Sequence, residues 1–375
     1  MIETDVLVVG GGAAGLAVTQ ALARAGVAVR LAEGEAQLGG PWRRRHKHLT
    51  LNSYRDLSVL PGVSYPAGTP AFPNRAAVIS LFEDFARLHK LPIDYSTAVE
   101  RIDRAGERWE IKAGDRTYRA RHVIVATGRD RVPFIPDWPG LATFPGRIVH
   151  AADFGEAEFY RGRSVLVAGA GNSGIDVLNH LIRVETGPIW LSARHALAVL
   201  PKRVFNIAVH KNSAMLARLP LALADLIIST VQRLSFGDLS RLGLPKSAGG
   251  PASRLAIDSV AIATDDGAVA AMKAGRIKAV PEIKSFDGTK VVLEDGCSVE
   301  PDVVIAATGY RTGLESMVGH LGVLDQRGKP LFNGGHSDPK LPGLWFTGMR
   351  ADLRGCFMNA IDKAEAITAR IVAER

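Results

Sequence analysis

Asp5-Val-Leu-Val-Val-Gly10-Gly-Gly-Ala-Ala-Gly15-Leu16 is the stretch of sequence that decides the fold. Its first five residues form an apolar, β-branched run, which is typical of a strand buried on both faces. A glycine turn follows at once, residues 16–25 then predict a helix, and residues 27–31 predict a second strand leading to Glu33. The order of strand, glycine turn, helix, strand and carboxylate predicts a dinucleotide-binding unit.

Each position of this turn has a physical task. Gly10 permits the tight turn, Gly12 lets the backbone approach a pyrophosphate, and Gly15 lets helix and strand pack closely. The start of the helix supplies free N–H groups and the positive end of its dipole to the diphosphate. Glu33 can accept hydrogen bonds from ribose hydroxyls and repels a 2′-phosphate. We therefore expect this unit to hold FAD or NAD rather than NADP.

A second unit repeats the pattern. Arg163-Ser-Val-Leu-Val-Ala168 predicts the strand, and Gly169-Ala-Gly171-Asn-Ser-Gly174 the turn. Residues 175–184 predict the helix and 188–191 the next strand, which leads to Ser192 and Arg194. An arginine with a hydroxyl neighbour can pair with a 2′-phosphate through charge-assisted hydrogen bonds. This unit is predicted to prefer NADPH, with NADH left open and a solvated surface charge as the alternative reading of Arg194.

Further segments surround the two turns. Gly39-Gly-Pro-Trp42 predicts a loop on the flavin side, and residues 123–128 and 303–310 predict late strands that enter tight turns. Residues 344–348 and the helical tail from Asn359 are predicted to return to the first domain and cover the flavin. The residues predicted to bind the two cofactors are Gly10, Gly12, Ala13, Ala14, Gly15, Glu33, Gly40, Trp42, Thr127, Gly128, Gly169, Gly171, Asn172, Ser173, Gly174, Ser192, Arg194, Thr308, Gly309 and Gly348.

The fold class predicted from these patterns is α/β, with two Rossmann-like, three-layer domains and the NADPH domain inserted into the FAD domain. The first part of the FAD domain is expected at 1–158 and its C-terminal part at 310–375. The NADPH domain is expected at 159–309, with an insertion near 202–255 placed to govern substrate access. A chain of 375 residues suits two cores better than one.

Composition excludes several classes of function. The net charge of +8 comes from scattered Lys and Arg, apart from Arg43-Arg-Arg-His-Lys-His48, which lacks the interleaved aromatics of a nucleic-acid surface. We expect no nucleic-acid partner, since two phosphate-rich cofactors account for the charge. The apolar stretch 216–231 is expected to cover a core or substrate pocket, and membrane contact is not expected. With no signal sequence and only Cys297 and Cys356, a cytoplasmic location is expected.

A segment just before the second glycine turn is the most specific feature of the chain. It reads Phe144-Pro-Gly146-Arg-Ile-Val-His150-Ala-Ala-Asp-Phe154 and is similar to the fingerprint FxGxxxHxxx(F/Y) of the class B flavin-containing monooxygenases. The related Baeyer–Villiger monooxygenases have tryptophan at the last position, followed by Pro or Asp. Phe154-Gly155 departs from that pattern, which disfavours ketone-to-ester chemistry. His150 is expected to shape the domain junction rather than to transfer protons.

The resemblance extends over nearly the whole chain. The segment from Asn52 to Pro61 is similar to the monooxygenase segment that begins with an active-site Asn, and Ala307-Thr-Gly-Tyr310 is similar to the family's ATGY turn. Residues 236–244, 275–281 and 342–345 resemble the plant YUCCA branch and its bacterial relatives. YUCCA enzymes generally lack the Asn52 pattern, so the chain combines features of both branches.

The resemblance implies an NADPH-dependent monooxygenase. In the family, NADPH reduces FAD, O2 adds to give a C4a-(hydro)peroxyflavin, and NADP⁺ stays bound to shield it. A soft nucleophile such as an amine or sulfide takes one oxygen atom, or a 2-oxo acid such as indole-3-pyruvate is oxidatively decarboxylated. Asn52 would hydrogen-bond near the flavin and the retained nicotinamide; the alternative is that it caps a strand end.

Other classes of protein share two dinucleotide folds. A disulfide or thioredoxin-type reductase needs a CxxC or CxxxxC pair, and Cys297 and Cys356 form neither. A ferredoxin–NADP reductase needs no cysteine but lacks the stretch from Phe144 to Phe154, and a redox-sensing binding protein would bind the cofactors without turnover. The expected partners are a small-molecule substrate and O2. A homodimer is left open, and no metal site is predicted.

Overall fold

The computed structural model describes residues 1–246 and 249–375 of the chain. Residues 247 and 248, which fall in the predicted 202–255 insertion, lie outside the described residues. The chain forms two compact units, each assembled from separate stretches of sequence. Unit 1 comprises Met1–Arg43, Ser53–Val132 and Tyr310–Arg375, and unit 2 comprises Arg44–Asn52 and Pro133–Gly309.

The regular elements are numbered in chain order. The strands are β1 Ile2–Val9, β2 Val29–Ala32, β3 Ile93–Asp94, β4 Arg101–Ala105, β5 Arg108–Ala113, β6 Arg116–Val125, β7 Val132–Pro133, β8 Arg147–His150, β9 Val165–Ala168, β10 Ile189–Ser192, β11 Val199–Pro201, β12 Arg203–Val204, β13 Ile207–Ala208, β14 Ala263–Asp265, β15 Ile277–Val280, β16 Ile283–Asp287, β17 Lys290–Leu293, β18 Ser298–Val299, β19 Val303–Ala306, β20 Tyr310–Arg311 and β21 Leu344–Phe346. The helices are α1 Ala13–Arg24, α2 Gly40–Arg44, α3 Arg75–Leu88, α4 Asn172–Leu181, α5 Ser213–Leu216, α6 Leu221–Phe236, α7 Pro251–Asp258, α8 Ala268–Lys273, α9 Glu315–Val318 and α10 Cys356–Ala373.

Unit 1 is built on a mixed sheet in the order β3-β2-β1-β6-β5-β4. The long strand β6 runs parallel to β1, and β5 pairs with its first half in antiparallel fashion. The last strand, β21, pairs in parallel with its second half, with Leu344 opposite Val123. The chain therefore returns from the C-terminal region to complete the first sheet, as the sequence predicts.

Both faces of the unit 1 sheet are covered. Val6, Leu7 and Val8 are fully buried, as expected for the uninterrupted apolar run that precedes the glycine turn. Helices α3 and α10 pack against α1. Leu7 faces a core that also contains Trp109 and residues of α9. This packing fixes the carboxyl ends of β1, β6 and β21 at one edge of the sheet.

Unit 2 is built on a fully parallel sheet in the order β15-β10-β9-β19-β8. One face packs against α4 and α8, and the other packs against the antiparallel sheet β16-β17-β18. Strand β8 pairs with β19, with Arg147 opposite Val303. Residues 133–158 belong to this compact unit because β8 is a strand of its sheet, whereas the sequence-based ranges put them in the first domain.

The stretch 202–255 folds into short elements and one long helix. A hairpin of β12 and β13 is followed by α5, and Pro220 separates α5 from α6. Helix α6 buries Ala224, Ile228 and Phe236, and it packs against α7. None of the helices in the described part of the chain combines the length and apolar character needed to span a bilayer.

Candidate nucleotide-binding and active site

The glycine turn of unit 1 has the geometry that its sequence predicts. Gly10 has a φ of +103°, a conformation that an L side chain rarely adopts. A Cβ on Gly15 would lie 1.8 Å from the carbonyl oxygen of Gly10, so only glycine lets α1 pack this closely on the turn. A Cβ on Gly12 would meet no described heavy atom within 4 Å. Gly12 is therefore free for a ligand to approach.

The turn of unit 2 repeats this geometry. Gly169 has a φ of +113°, and a Cβ on Gly174 would lie 1.9 Å from its carbonyl oxygen. Gly171 faces open space in the same way as Gly12. The two turns thus have the same backbone form in the two units.

Both helices that follow the turns begin without a side-chain cap. The N-cap residues are Gly12 for α1 and Gly171 for α4, and neither helix receives a capping hydrogen bond from a side chain. Helix α3 differs, because the Asn74 side chain accepts a hydrogen bond from the Ala77 N–H. The first-turn N–H groups of α1 and α4 are left for an anionic ligand, as at other phosphate-binding helix starts.

One polar atom at the start of α4 has no hydrogen-bond partner within the described part of the chain. The Oδ1 atom of Asn172 is buried and receives no hydrogen bond from the described residues. A buried acceptor without a donor costs roughly 1–3 kcal/mol, so its retention needs a reason. A ligand that donates a hydrogen bond into the unit 2 turn would supply one.

Glu33 is fixed at the end of β2 by the backbone around it. Its Oε2 accepts a hydrogen bond from the Gly11 N–H at 2.6 Å, and its Oε1 accepts one from the Glu35 N–H at 2.9 Å. The carboxylate is therefore held next to the glycine turn, in the position predicted from sequence, and its remaining lone pairs can accept ribose hydroxyls.

The corresponding position of unit 2 carries an exposed positive charge. The Arg194 side chain is 66% exposed, its Nη1 lies 3.8 Å from Glu282 Oε1, and its Nε donates to His195 Nε2 at 3.0 Å. Ser192 is buried, and its hydroxyl donates to the carbonyl of Pro281 at 2.9 Å. Because the Ser192 hydroxyl already donates its proton to a backbone carbonyl, Arg194 is the side chain of this pair that can donate to a phosphate.

The carboxyl ends of three strands meet beside the unit 1 turn. A Cβ on Gly10 would touch the Ala126 carbonyl at 3.0 Å and Thr127 Cα at 3.1 Å, and one on Gly348 would lie 2.8 Å from Ala14 Cβ. Thr127 Oγ1 is buried without a hydrogen-bond partner among the described residues. Gly128 follows with a φ of +81°. The predicted residues from β1, β6 and β21 therefore lie together at one edge of the sheet.

The same convergence occurs in unit 2. A Cβ on Gly169 would lie 2.4 Å from the Ala307 carbonyl oxygen, so the turn abuts the end of β19. Thr308 Oγ1 donates to the Phe134 carbonyl, and the Phe134 N–H donates to Gly309 O at 3.0 Å. Thr308 and Gly309 are thus placed at the carboxyl edge of this sheet, which is where nucleotides bind in open α/β sheets.

His150 fastens the end of β8 to that edge. Its Nδ1 accepts the Ala152 N–H at 3.0 Å, so the ring proton lies on Nε2, which donates to Gly309 O at 2.9 Å. Burial lowers the pKa of His150 below its usual value and favours this neutral form. Both nitrogens are used in holding the backbone, which agrees with a structural role.

The other fingerprint residues pack in unit 2. The Phe144 ring meets Phe286 edge to face at 5.3 Å, and a Cβ on Gly146 would lie 2.7 Å from the Asp302 carbonyl oxygen. Phe154 stacks on Tyr160 at 4.9 Å, and its carbonyl accepts the Tyr160 hydroxyl at 2.8 Å. The spacing of the fingerprint thus follows from close packing around β8.

Three predicted residues lie away from these two edges in sequence. Gly40 is buried at the start of α2, where a Cβ would lie 2.5 Å from Glu35 Cγ. Trp42 is half-buried on the same short helix, which replaces the predicted loop. Asn52 is half-buried at the end of the Arg44–Asn52 stretch of unit 2. Their roles remain predictions.

Sequence reasoning missed a cluster of two imidazoles and a carboxylate in unit 2. His46 lies in the Arg44–Asn52 stretch, and Asp176 and His180 lie one turn apart on α4. The i, i+4 spacing of Asp176 and His180 is visible in the sequence, since it places both on one helix face. The approach of His46 depends on a contact across 130 residues and leaves no local signal.

In each unit, individual residues have the features that a bound dinucleotide requires. Each unit offers an open glycine next to an uncapped helix N-terminus, and each has a buried polar atom, Thr127 Oγ1 or Asn172 Oδ1, without a partner among the described residues. The downstream side chains have opposite charge, Glu33 in unit 1 and Arg194 in unit 2. Chemically, such a pair of sites can bring a redox cofactor and a nucleotide reductant to one polypeptide.

Comparisons with known proteins agree with this geometry. A family model described as pyridine nucleotide-disulphide oxidoreductase matches residues 7–197. The chain is 30% identical to a probable indole-3-pyruvate monooxygenase, YUCCA3, of Arabidopsis thaliana, over 97% of the chain and 86% of that protein. It is 31% identical to the indole-3-pyruvate monooxygenase YUCCA4 of Oryza sativa subsp. japonica, over 82% of the chain and 74% of that protein.

Among solved structures, the chain is similar to a flavin monooxygenase from Stenotrophomonas maltophilia, solved as a variant with two substitutions. The TM-score is 0.77 at 26% identity, over 100% of this chain and 99% of that one. The likeness extends over both units, so it includes both glycine turns and the stretch between them.

Proposed function

Because the chain belongs to the class B flavin monooxygenases and is YUCCA-like, we propose that it uses FAD and NADPH to transfer one oxygen atom from O2 to a small organic substrate. The observation that carries this proposal is the pair of matching glycine turns with opposite charges downstream. A carboxylate at Glu33 suits a ribose diol, and a guanidinium at Arg194 suits a 2′-phosphate.

In this proposal unit 1 binds FAD. The N–H groups at the start of α1 face the diphosphate across Gly12, and Glu33 accepts the ribose hydroxyls. Thr127, Gly128 and Gly348 border the same edge of the sheet, where Thr127 Oγ1 has no hydrogen-bond partner in residues 1–246 and 249–375. Gly40 and Trp42 are proposed to complete the flavin side. This assignment makes unit 1 the FAD domain, into which the second unit is inserted.

Unit 2 is proposed to bind NADPH. Gly171 and the start of α4 receive the diphosphate, and Asn172 Oδ1 accepts a hydrogen bond from the nucleotide. Ser173 lies in the same first turn, with Thr308 and Gly309 at the neighbouring strand end. Arg194 holds the 2′-phosphate, because its guanidinium is exposed and only weakly paired with Glu282 at 3.8 Å. An exposed ion pair contributes little free energy, so the arginine can leave Glu282 for a phosphate at little cost in stability.

Bound FAD, reduced by NADPH, supplies the activation of O2, which side chains alone cannot perform. The protein's own residues bind, orient and exclude water. His150 keeps its proton on Nε2 and fixes the turn at Gly309, so it transfers none itself. Asn52 is proposed to donate a hydrogen bond that preserves the oxygenating state of the enzyme. Replacement by Asp should then lower the fraction of NADPH oxidation that yields oxygenated product.

A 2-oxo acid with an aromatic side chain is proposed as the substrate class to test first. The relatives at 30% and 31% identity carry the name indole-3-pyruvate monooxygenase. Oxidative decarboxylation of such an acid consumes one O2 and one NADPH and releases CO2 and water. Amines and sulfides form the second class, because the Asn52 segment resembles the branch that oxygenates soft nucleophiles.

The test is product analysis with labelled oxygen. Purified holoenzyme receives NADPH and ¹⁸O2 together with indole-3-pyruvate, an amine or a sulfide, and O2 uptake and product mass are measured. We expect one substrate class to stimulate O2 uptake and to gain one ¹⁸O atom. Gly171→Ala serves as a control that should slow NADPH oxidation with every substrate. NADPH oxidation without any labelled product would contradict the proposal.

A reductase without oxygenation is the second candidate, since the matching family model is described as a disulphide oxidoreductase. Such an enzyme passes two electrons from the reduced flavin to a disulfide, which becomes a dithiol. Cys297 and Cys356 are both free and are 59 residues apart in sequence. The labelled-oxygen experiment separates the two candidates, because a reductase would reduce an added disulfide or ferredoxin and leave substrate unlabelled.

A further inference from the structure

The cluster of His46, Asp176 and His180 lies entirely within unit 2. His46 Nε2 is 3.5 Å from Asp176 Oδ2, and His180 Nε2 is 3.9 Å from Asp176 Oδ1. One ligand atom from each residue lies within 4.8 Å of the other two. Three groups that bind transition metals therefore converge on one small volume.

The surroundings of the cluster are closed on one side and open on the other. The side chains of His46 and His180 are 4% and 13% exposed, while that of Asp176 is 23% exposed. The two imidazole rings meet edge to face at 4.8 Å, and Phe154 contacts both rings, at 5.7 Å and 6.2 Å. Phe154 therefore packs against both imidazoles, and Asp176 is the most exposed of the three side chains.

The separations suit a bridging ion better than direct hydrogen bonds. Distances of 3.5 Å and 3.9 Å are too long for strong nitrogen–oxygen hydrogen bonds. Zinc binds imidazole nitrogen and carboxylate oxygen at roughly 2.0–2.2 Å, which places two ligands of one tetrahedral ion roughly 3.3–3.6 Å apart. A separation of 4.8 Å exceeds that range by roughly 1.2–1.5 Å, so the side chains must rotate toward one another to bind one ion.

Two cationic side chains that interact electrostatically with the cluster, Lys202 and Arg183, have other partners. Lys202 Nζ donates to Thr50 Oγ1 at 3.0 Å, and Arg183 pairs with Asp266 at 2.8 Å. His48 pairs with Glu156 at 3.4 Å, and its ring lies 6.4 Å from that of His180. The cluster therefore contains one carboxylate to balance an incoming cation, with His48 beside it rather than within it.

We propose that His46, Asp176 and His180 form a site for one divalent transition-metal ion of the zinc class. Two imidazoles and one carboxylate suit Zn²⁺, Ni²⁺ or Co²⁺ more than Mg²⁺ or Ca²⁺. A bound ion joins the Arg44–Asn52 stretch to α4, the helix that follows the second glycine turn. The ion thereby orders the stretch that ends at Asn52.

The experiment uses tag-free holoenzyme treated with chelator and desalted. Equilibrium dialysis against Zn²⁺ at neutral pH measures stoichiometry and affinity for wild type, His46→Gln, Asp176→Asn and His180→Gln. We expect about one Zn²⁺ per chain in wild type and at least about tenfold weaker binding in each variant. His320→Gln is the matched control, because His320 pairs with Asp103 at 3.0 Å in unit 1, and it should bind as wild type does.

A second measurement uses only the wild-type protein, so it does not depend on whether the variants fold. Co²⁺ added to the wild-type holoenzyme should give the intense visible bands of a four- or five-coordinate site, and Zn²⁺ should abolish them. A spectrum equal to that of hydrated Co²⁺ would overturn the proposal. Saturable Zn²⁺ binding that persists unchanged in all three ligand variants would overturn it as well.

Discussion

The two glycine turns are alike in backbone and unlike in side chain. In both turns the first glycine has a positive φ, and the last glycine packs against the carbonyl oxygen of the first, which brings helix and strand together. The glycine between them faces open space. At the end of the second strand, Glu33 is held by two backbone N–H groups, whereas Arg194 is exposed and weakly paired. The comparison teaches that the turn prepares a site for any diphosphate, and that the downstream residue selects which nucleotide fills it.

The turns also differ in their first helical residues. Unit 1 has Ala13 and Ala14, where unit 2 has Asn172 and Ser173. Ala14 packs against Gly348, while Asn172 keeps a buried oxygen without a partner among the described residues. The first helical residues of unit 1 are thus packed against a neighbouring strand end, whereas those of unit 2 offer a polar atom to a ligand.

The largest effects are expected at the last glycine of each turn. Gly15→Ala and Gly174→Ala each force a Cβ to within 2 Å of a carbonyl oxygen, which the helix can relieve only by moving. We expect a loss of about 3 kcal/mol in the free energy of unfolding for each variant. If the units bind as proposed, Gly15→Ala loses bound flavin, and Gly174→Ala keeps flavin but loses NADPH oxidation.

Gly12→Ala and Gly171→Ala are the matched controls. A Cβ at either position meets open space, so the melting temperature should remain within a few degrees of wild type while the affinity for the corresponding cofactor falls. Flavin content, NADPH affinity and melting temperature are measured for all four variants and for wild type. If Gly12→Ala behaved like Gly15→Ala, or Gly171→Ala like Gly174→Ala, the distinction between glycines needed for packing and glycines needed for binding would be wrong.

Arg194→Ala should lower the preference for NADPH over NADH about tenfold. Loss of a charge-assisted hydrogen bond to the 2′-phosphate costs about 1.5 kcal/mol at an exposed site, or about a tenfold fall in kcat/KM for NADPH. The value for NADH should stay nearly constant, and Arg161→Ala, an exposed arginine paired with Glu158, should change neither. An unchanged ratio of the two values would remove Arg194 from the site.

Asn172→Ala tests the unpartnered oxygen, with Asn179→Ala as its contrast on the same helix. Asn179 donates to Thr264 O and accepts from the Asp266 and Ala268 N–H groups, so its loss should lower stability. Asn172→Ala should instead leave the melting temperature unchanged and raise the KM for NADPH roughly fivefold. A loss of stability in Asn172→Ala with normal KM would assign this oxygen to the fold.

The smallest effect concerns acid stability. Burial lowers the pKa of His122 in unit 1 to about 4, and the Trp345 indole N–H donates to its Nδ1 at 3.4 Å. The unfolded chain takes up a proton near pH 6.5, so stability is full above that pH and declines as the pH falls toward 4. Urea unfolding at pH 5 and pH 8 should show a smaller difference in His122→Gln than in wild type.

Much of this architecture could be predicted from sequence, because its signals are local. Gly10, Gly15 and their counterparts in unit 2 occur at fixed spacing between a strand and a helix, and the structure shows the steric reason for each. The return of the apolar strand near the C-terminus to the first domain was also expected, whereas its pairing with β6 is seen only in the structure. Family membership followed from the stretch between Phe144 and Phe154.

The parts that sequence did not predict depend on contacts between distant residues. Nothing near Ser192 indicates that its hydroxyl is committed to Pro281, and nothing near His46 indicates that it meets α4. The extent of unit 2 depends on the pairing of β8 with β19, which joins residues more than 150 positions apart.

The return of the chain to unit 1 has a consequence for its synthesis. Strand β21 and helix α10 complete the sheet and the helical layer of unit 1, although strand β1 of the same unit is synthesised before unit 2. Unit 2 ends at Gly309, so its residues leave the ribosome before those that finish unit 1. The glycine turn of unit 1 is therefore synthesised before the helix that packs beside it, and we expect unit 1 to mature only after α10 has left the ribosome.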